Sequence, residues 1–257
     1  MGRADIISAD GSRFRVRPWP EDARTASLVL LPGGRVPSGV AINTCLAQLR
    51  ERRYSTVLTG ALAHYERSPF FDSGFQLHHE LHLLSRVLGD IAAPRRRAPD
   101  RVIRAARKRD WPAVVDLDRK AFNTFWRFDT NGISDALKAT PIRRFRIVGT
   151  EHSPVSGYHI SGFAGKAGYL QRLAVHPGLH RRGIGSVLIS DALGWMQNRG
   201  ATTGWVNTQV GNDVALATYL AHGFVLQKDR LVVLSCSLDG APPHPSTEAQ
   251  TNGAARQ

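Results

Sequence analysis

Hydrophobic and polar positions alternate most regularly between residues 169 and 224. An apolar run from Tyr169 to Val175 predicts a strand that ends before Pro177. Apolar residues at helical spacing between 187 and 198 predict a half-buried helix, and another strand follows at 203–207. A second helix ends at Gly223 and Phe224, ahead of a last strand. The predicted order is therefore strand, loop, helix, strand, helix, strand.

A similar pattern of strands and helices precedes this stretch on its amino-terminal side. Strands are predicted at 101–104, 145–148 and 157–163, and helices at 111–122 and 133–139. The last two strands are adjacent and joined by residues 150–156, so they should pair antiparallel. Between the two helices lie Phe125, Trp126 and Phe128, which would either line a pocket or belong to the core. The fold class predicted is α+β, with a mixed, mostly antiparallel sheet flanked by helices.

An internal repeat appears when the first half of the chain is set beside the second. Helix, strand, helix and Gly-Phe follow one another over 46–75 and again over 193–224, and a strand follows in both copies. We therefore divide the 257 residues into a smaller module at 1–89, a basic linker rich in Pro and Arg at 90–100, a complete domain at 101–238 and a disordered tail at 239–257.

Composition narrows the class of protein. Hydrophobic residues make up 42% of the chain, enough for a globular core, but no apolar run is long enough for a membrane span and no secretion signal is evident. Cys45 and Cys236 are too few for a disulfide framework or a metal site, which suggests a reducing compartment, and we expect a cytoplasmic protein. The net charge of +13 favours anionic partners.

The loop at 178–186 has the chemistry of a phosphate site. Gly183 and Gly185 lack Cβ atoms, so their backbone N–H groups can approach an anion closely. The helix that begins there adds the positive end of its dipole. Arg181 and Arg182 add charge to the same place. A basic turn that only caps the helix would have a similar composition, but the position after a strand and before a helix favours phosphate binding.

These residues resemble the acyl-CoA signature of the GNAT superfamily of N-acetyltransferases. His180, Arg181, Arg182, Gly183, Ile184 and Gly185 are similar to its first half, a Gln or Arg followed by two residues, Gly, one residue and Gly or Ala. Asn212, Tyr219 and the pair Gly223-Phe224 are similar to its second half. The resemblance covers 101–238. The first module is then a degenerate GNAT-like half, and the layout resembles tandem GNAT proteins such as mycothiol synthase.

The resemblance implies a set of site residues. Tyr219 holds the position of the general acid, and the cofactor-binding positions are Leu173, Ala174, Val175, His180, Arg181, Arg182, Gly183, Ile184, Gly185, Ser186, Asn207 and Asn212. Asn212 would also suit a helix cap. Many family members carry a glutamate base where this chain has Tyr169. His159 on the neighbouring strand has a suitable pKa range and is the candidate base, with Tyr169, Asn207 and a water chain as alternatives.

The resemblance also implies that the first copy no longer binds a cofactor. Pro37 stands in its loop where a backbone donor would be needed, and Phe70 stands where the second copy has Tyr219. A structural or substrate-shaping role remains for this module.

The expected function is transfer of an acetyl group from acetyl-CoA to a primary amine of a small molecule, peptide or protein. Two alternatives remain open: a CoA-binding sensor without catalysis, favoured by the missing glutamate, and an accessory protein of the ribosome or of nucleic acid, favoured by charge. No membrane partner and no bound metal are expected. The acceptor and the oligomeric state do not follow from the sequence.

Overall fold

The computed structural model of the chain describes residues 5–31, 36–89, 102–150 and 154–239. The predicted linker at 90–100 and all of the predicted tail except Asp239 lie outside these residues. The chain splits into two compact units: unit 1 comprises Met1–Leu81 and Asp229–Gln257, and unit 2 comprises His82–Lys228. None of the helices described is long and apolar enough to cross a membrane.

Unit 1 is a sheet with one long helix against it. Its elements are β1 (Asp5–Ala9), β2 (Ser12–Trp19), β3 (Asp22–Leu30), α1 (Gly39–Glu51), β4 (Thr56–Thr59), α2 (Ser68–Asp72) and the first part of β5 (Gln76–Val87). β3 and β4 are parallel, and α1 connects them. The apolar face of α1, which includes Ile42, Leu46 and Leu49, packs in a core with residues of the strands.

Unit 2 contains the second part of β5 and most of the predicted site. Its other elements are β6 (Ile103–Ala105), α3 (Trp111–Ala121), α4 (Thr130–Lys138), β7 (Ile142–Val148), β8 (Gly157–Ala164), β9 (Ala167–Val175), α5 (Ile184–Asn198), β10 (Thr203–Gln209), α6 (Asp213–Ala221) and β11 (Val225–Leu226). β6 to β9 form consecutive antiparallel pairs, whereas β9 and β10 are parallel and connected by α5. The predicted α+β fold with a mostly antiparallel sheet is confirmed.

The last strand, β12 (Leu231–Ser237), differs from the sequence-based division of the chain. The sequence groups it with 101–238, but it belongs to unit 1, where it pairs antiparallel with β4 and with the first part of β5. Its inward residues Val232, Leu234 and Cys236 complete the unit 1 core. Burial of these side chains explains the pairing, which spans more than 150 residues of chain and leaves no local signal.

The internal repeat predicted from the sequence is visible in local geometry. Phe70 and Phe75 meet edge to face with ring centroids 5.3 Å apart, and Tyr219 and Phe224 do the same at 5.8 Å. In each copy the phenylalanine that ends the turn donates its N–H to the carbonyl of the earlier aromatic residue, at 3.0 and 3.1 Å. Phe70 therefore occupies the place of Tyr219, as predicted.

Candidate functional site

The parallel strands β9 and β10 separate partway along their length. Their pairing runs from Thr203 beside Ala167 to Val206 beside Leu170 and stops there, although β9 continues to Val175 and β10 to Gln209. A bulge in β9 at Gln171, seen as a register shift against β8, lies at this point. Bulges bend a strand and end its pairing. The second half of β9 therefore keeps its β8 partner on one edge, while its other edge is no longer paired with β10; we call the space along this unpaired edge the cleft.

The main-chain groups that face this cleft follow from the pairing of β9 with β8. His176 donates its N–H to the carbonyl of Ser156 at 2.9 Å. Because hydrogen-bonded and non-bonded pairs alternate in an antiparallel ladder, Val175 opposite Gly157 and Leu173 opposite His159 are non-bonded pairs. Their N–H and C=O groups turn away from β8 towards the cleft, whereas those of Ala174 turn towards β8. Of the three predicted β9 residues, Leu173 and Val175 therefore turn main-chain groups towards the cleft.

The start of α5 carries several backbone donors without acceptors. Gly183 precedes the helix in the left-handed conformation, with φ of 78°, and no side chain caps the helix. The first helical hydrogen bond runs from the N–H of Val187 to the carbonyl of Gly183. The N–H groups of Ile184, Gly185 and Ser186 have no acceptor among the residues that the structure describes. The side chain of Ile184 is buried, so only its main chain can serve a ligand.

The side chains of this loop divide between loop closure and charge. His180 places Nε2 3.2 Å from the carbonyl oxygen of Val175 and so ties the loop back to the end of β9. Its neighbour Arg181 adopts φ of 59°, a left-handed conformation that is costly for a residue with a Cβ. Arg181 and Arg182 are exposed beside the unpaired N–H groups. The predicted phosphate ligands Arg181 to Ser186 therefore lie together at one helix terminus.

The two predicted asparagines have different surroundings. Asn207 is exposed on β10, one residue past the last one paired with β9, and so lies at the opening of the cleft. Asn212 caps α6: its Oδ1 accepts from the N–H of Ala215 at 3.2 Å, and its Nδ2 donates to Gln209 at 3.1 Å. Capping, which the sequence offered as one role for Asn212, is what its side chain does.

Tyr219 is the buried residue of α6 and is 6% exposed. Its ring packs with Leu170, Ala192 and Phe224 in a core cluster of unit 2. Burial raises the pKa of its hydroxyl to about 12, although the positive charge of Arg172 acts in the opposite direction. The phenol therefore stays protonated at neutral pH and retains a proton to donate.

Residues 111–224 match the model of the acetyltransferase (GNAT) family. This stretch is a GNAT-family domain. It contains the cleft, the loop before α5 and Tyr219. The family is one of acetyltransferases, and its general chemistry is acyl transfer. No curated protein sequence matches the chain.

Solved structures share the fold over both units of the chain. A tandem GNAT protein from the clavulanic acid biosynthesis pathway is 16% identical, with a TM-score of 0.64 over 93% of this chain and 83% of that one. A GCN5-related N-acetyltransferase from Kribbella flavida is 15% identical, with a TM-score of 0.58 over 90% and 89%. One from Sphaerobacter thermophilus is 16% identical, with a TM-score of 0.57 over 89% and 77%. The tandem GNAT layout is thus found in a solved relative in fold.

His159, the candidate base, lies inside the GNAT domain and away from solvent. It is fully buried, with Nδ1 2.9 Å from Ser161 Oγ and Nε2 2.9 Å from Asp191 Oδ2. Burial lowers the pKa of its ring despite the bond to Asp191, which itself is held by a fork from Arg144. A neutral ring that donates to Asp191 and accepts from Ser161 satisfies both nitrogens. This geometry supports a structural role for His159 and not the role of a base.

A buried ion pair in the GNAT domain escaped the sequence analysis. Arg172 on β9 donates from Nε and Nη2 to the two oxygens of Asp118, each at 2.8 Å. Asp118, on α3, is completely buried and also accepts from the hydroxyl of Tyr158. Two signals were available: an arginine inside an apolar strand, and an aspartate four residues after Val114 on the apolar face of a helix. Charged residues are rarely buried unless they are paired.

Proposed function

We propose that the GNAT domain is an acetyl-CoA-dependent N-acetyltransferase that acetylates a primary amine of a small molecule, peptide or protein. The observation that carries this proposal is that two features able to bind a ligand follow each other along the chain. Leu173 and Val175 present main-chain groups to the cleft, and the loop after β9 leads to the uncapped start of α5 with its two arginines. A polyanionic nucleotide with an amide-containing arm fits both features at once.

The residues suit acyl-CoA by their chemistry. The N–H groups of Ile184, Gly185 and Ser186 and the charges of Arg181 and Arg182 would hold the pyrophosphate, since helix starts favour anions. The main-chain groups of Leu173 that face the cleft would bond the amides of the pantetheine arm. Bound there, acetyl-CoA supplies an activated acyl group as a thioester.

Two groups of this chain would assist the transfer. The N–H of Val175 would donate to the carbonyl oxygen that gains negative charge as the amine attacks. The hydroxyl of Tyr219, which holds the family position of the general acid and is protonated at neutral pH, would give its proton to the departing sulfur.

The amine must also lose a proton, and no buried base serves this step in our proposal. Tyr169, in the position of the usual glutamate, is 36% exposed, and Asn207 is exposed at the cleft opening. The side-chain amide of Asn207 has no basic nitrogen. We propose that water in the cleft accepts the proton. The rate with a given amine should therefore rise with pH towards the pKa of that amine.

A second candidate is a CoA-binding regulatory module without catalysis. The combination of Tyr169 at the glutamate position and a fully buried His159 favours it. Such a module would bind acetyl-CoA with the same loop but would transfer the acetyl group to no amine.

Calorimetric titration with acetyl-CoA tests the shared part of both candidates. We expect wild type to bind at about micromolar Kd and a Gly183→Trp, Gly185→Trp double variant to show no binding. Gly194→Trp is the matched control, because Gly194 lies on the same helix away from its start, and a Cβ there would meet no neighbouring atom within 4 Å. Equal binding by wild type and the double variant would refute the loop assignment. Free-thiol release with a panel of amines then distinguishes transferase from regulator.

A further inference from the structure

The buried guanidinium of Arg172 is the centre of a set of contacts that joins β9 to the segment between α3 and α4. The side chain of Arg172 is 8% exposed. Its fork to Asp118 uses Nε and Nη2, and Nη2 also donates to the main-chain carbonyl of Trp126 at 2.6 Å. The guanidinium carbon lies 3.5 Å from the ring centre of Phe122 and 3.9 Å from that of Phe128. The cation is thus held between two aromatic faces.

Every one of these aromatic contacts belongs to residues 122–128, the segment that follows α3. Asp118 adds a further attachment, because its Oδ1 accepts the N–H of Phe128 at 2.6 Å. The segment also closes on itself, since Arg127 donates to the carbonyl of Phe122 at 3.1 Å. Gly132 allows the ring of Phe128 to lie against the start of α4, where a Cβ would come within 2.9 Å of it.

These contacts matter for acyl transfer because of the place at which they attach to β9. Arg172 directly precedes Leu173, the first residue whose main chain faces the cleft, and directly follows the bulge at Gln171. The side chain of Arg172 reaches Asp118 on α3, whereas the side chain of Leu173 packs against core residues of α5. One residue therefore connects the segment to the strand where the thioester would lie.

We infer that Arg172 is a positioning residue that, through Asp118 and Trp126, holds segment 122–128 against β9 as a wall of the transfer cleft. This inference rests on the proposed function for the identity of the cleft. It does not rest on that function for the attachment itself. Loss of the fork should release the wall, weaken the fit of the amine, and leave the phosphate loop before α5 unchanged.

Limited proteolysis tests the attachment without an acceptor. Segment 122–128 contains four aromatic residues that chymotrypsin can cut once the segment opens. In Arg172→Gln we expect cleavage within the segment, mapped by mass, to be about tenfold faster than in wild type, because cleavage follows the population of the open form. Arg172→Lys keeps the buried charge paired with Asp118 while losing the fork, so it should fall between the two and remain folded.

The matched control is Arg104→Gln, which removes a similar fork at the other end of the same helix. Arg104 donates from Nη1 and Nη2 to Asp110 at 2.8 and 2.7 Å, next to the start of α3. This variant should cut within 122–128 at the wild-type rate. Equal cleavage in Arg104→Gln and Arg172→Gln, or no increase in either Arg172 variant, would overturn the inference.

Acetyl transfer supplies the readout that a merely structural role would not change. With benzylamine, spermidine or an alanine-terminated peptide as probe, Arg172→Gln should raise the KM for the amine about tenfold, while its acetyl-CoA Kd and kcat change by less than about threefold. A fall in kcat with unchanged KM would contradict a positioning role. If none of the probes reacts with wild type, the proposed function fails and proteolysis alone decides the inference.

Discussion

Replacing Gly183 and Gly185 one at a time by alanine separates the two physical roles of the glycines before α5. Gly183 has φ of 78°, whereas no positive φ occurs at Gly185. A Cβ would meet nothing within 4 Å at Gly183 and only Val175 Cγ2, at 3.8 Å, at Gly185. Steric clash is therefore absent at both positions in the free protein, and backbone conformation alone distinguishes them.

The expected free energies follow from this geometry. An alanine held in the left-handed conformation costs roughly 1–2 kcal/mol, so Gly183→Ala should either lose that much stability or relax the loop. If the loop relaxes, acetyl-CoA must restore it, and the affinity falls by a factor of about 5–30 for the same energy. Gly185 lies in the first turn of α5, where alanine is favoured over glycine by roughly 0.5–1 kcal/mol.

The assay is urea unfolding of each variant with and without saturating acetyl-CoA. Ligand-bound Gly183→Ala should be less stable than bound wild type by about 1–2 kcal/mol, whichever way the cost divides between folding and binding. Bound Gly185→Ala should equal or exceed wild type. If both variants lose the same stability in the bound form, the left-handed geometry of Gly183 is not what the loop requires and our reasoning is refuted.

Three further predictions concern the buried groups of the GNAT domain. Asp118→Asn should lower the free energy of unfolding by about 3–5 kcal/mol, because it leaves the Arg172 cation buried without its counter-charge. Tyr158→Phe removes one of the bonds to Asp118 and should lower the free energy of unfolding by about 1–3 kcal/mol. A smaller loss for Asp118→Asn than for Tyr158→Phe in urea unfolding would contradict this order. His159→Gln should leave the pH dependence of transfer unchanged, and the loss of a break that wild type shows in that pH profile would restore His159 as the base. Because burial lowers the pKa of His159 in the folded state, the unfolded chain binds the proton first, so stability should fall as pH drops below about 6.5. Calorimetric unfolding between pH 7 and 5 should show a shallower fall in stability for His159→Gln, by up to about 1.4 kcal/mol per pH unit. An unchanged slope would mean that the ring is charged in the folded state.

Features encoded by neighbouring residues were predictable from the sequence. β9, α5, β10 and α6 lie within a few residues of their predicted bounds, because apolar spacing, Pro177 and the Gly223 turn mark them locally. The cap by Asn212 was one of two roles offered for that residue, and Ser38 likewise caps α1 as its type suggests.

Features that depend on distant pairing were not predictable. β1 is short and is defined by its antiparallel pairing with β2, so the sequence analysis missed it. The bulge at Gln171, which ends the pairing of β9 with β10, arises from the register against β8. The burial of His159 depends on Asp191, which lies 32 residues away on α5. The residues that neighbour a histidine on a strand do not reveal whether a cleft or a helix covers its side chain.

The two copies of the repeat show which residues convert this frame into a site for chemistry. Both copies join two parallel strands through one helix and end the next helix with the same aromatic turn. In the first copy, however, the side chain of Ser38 accepts the N–H of Ala41 at 3.1 Å, so the start of α1 satisfies one of its own donors. Phe70 fills the place of Tyr219 without a hydroxyl. Packing conserves the frame in both copies because an aromatic ring serves the core equally well with or without oxygen. The uncapped helix start and the phenol are therefore the two features of the second copy that the first copy lacks, and they are the features that the proposed acetyl-CoA site would use.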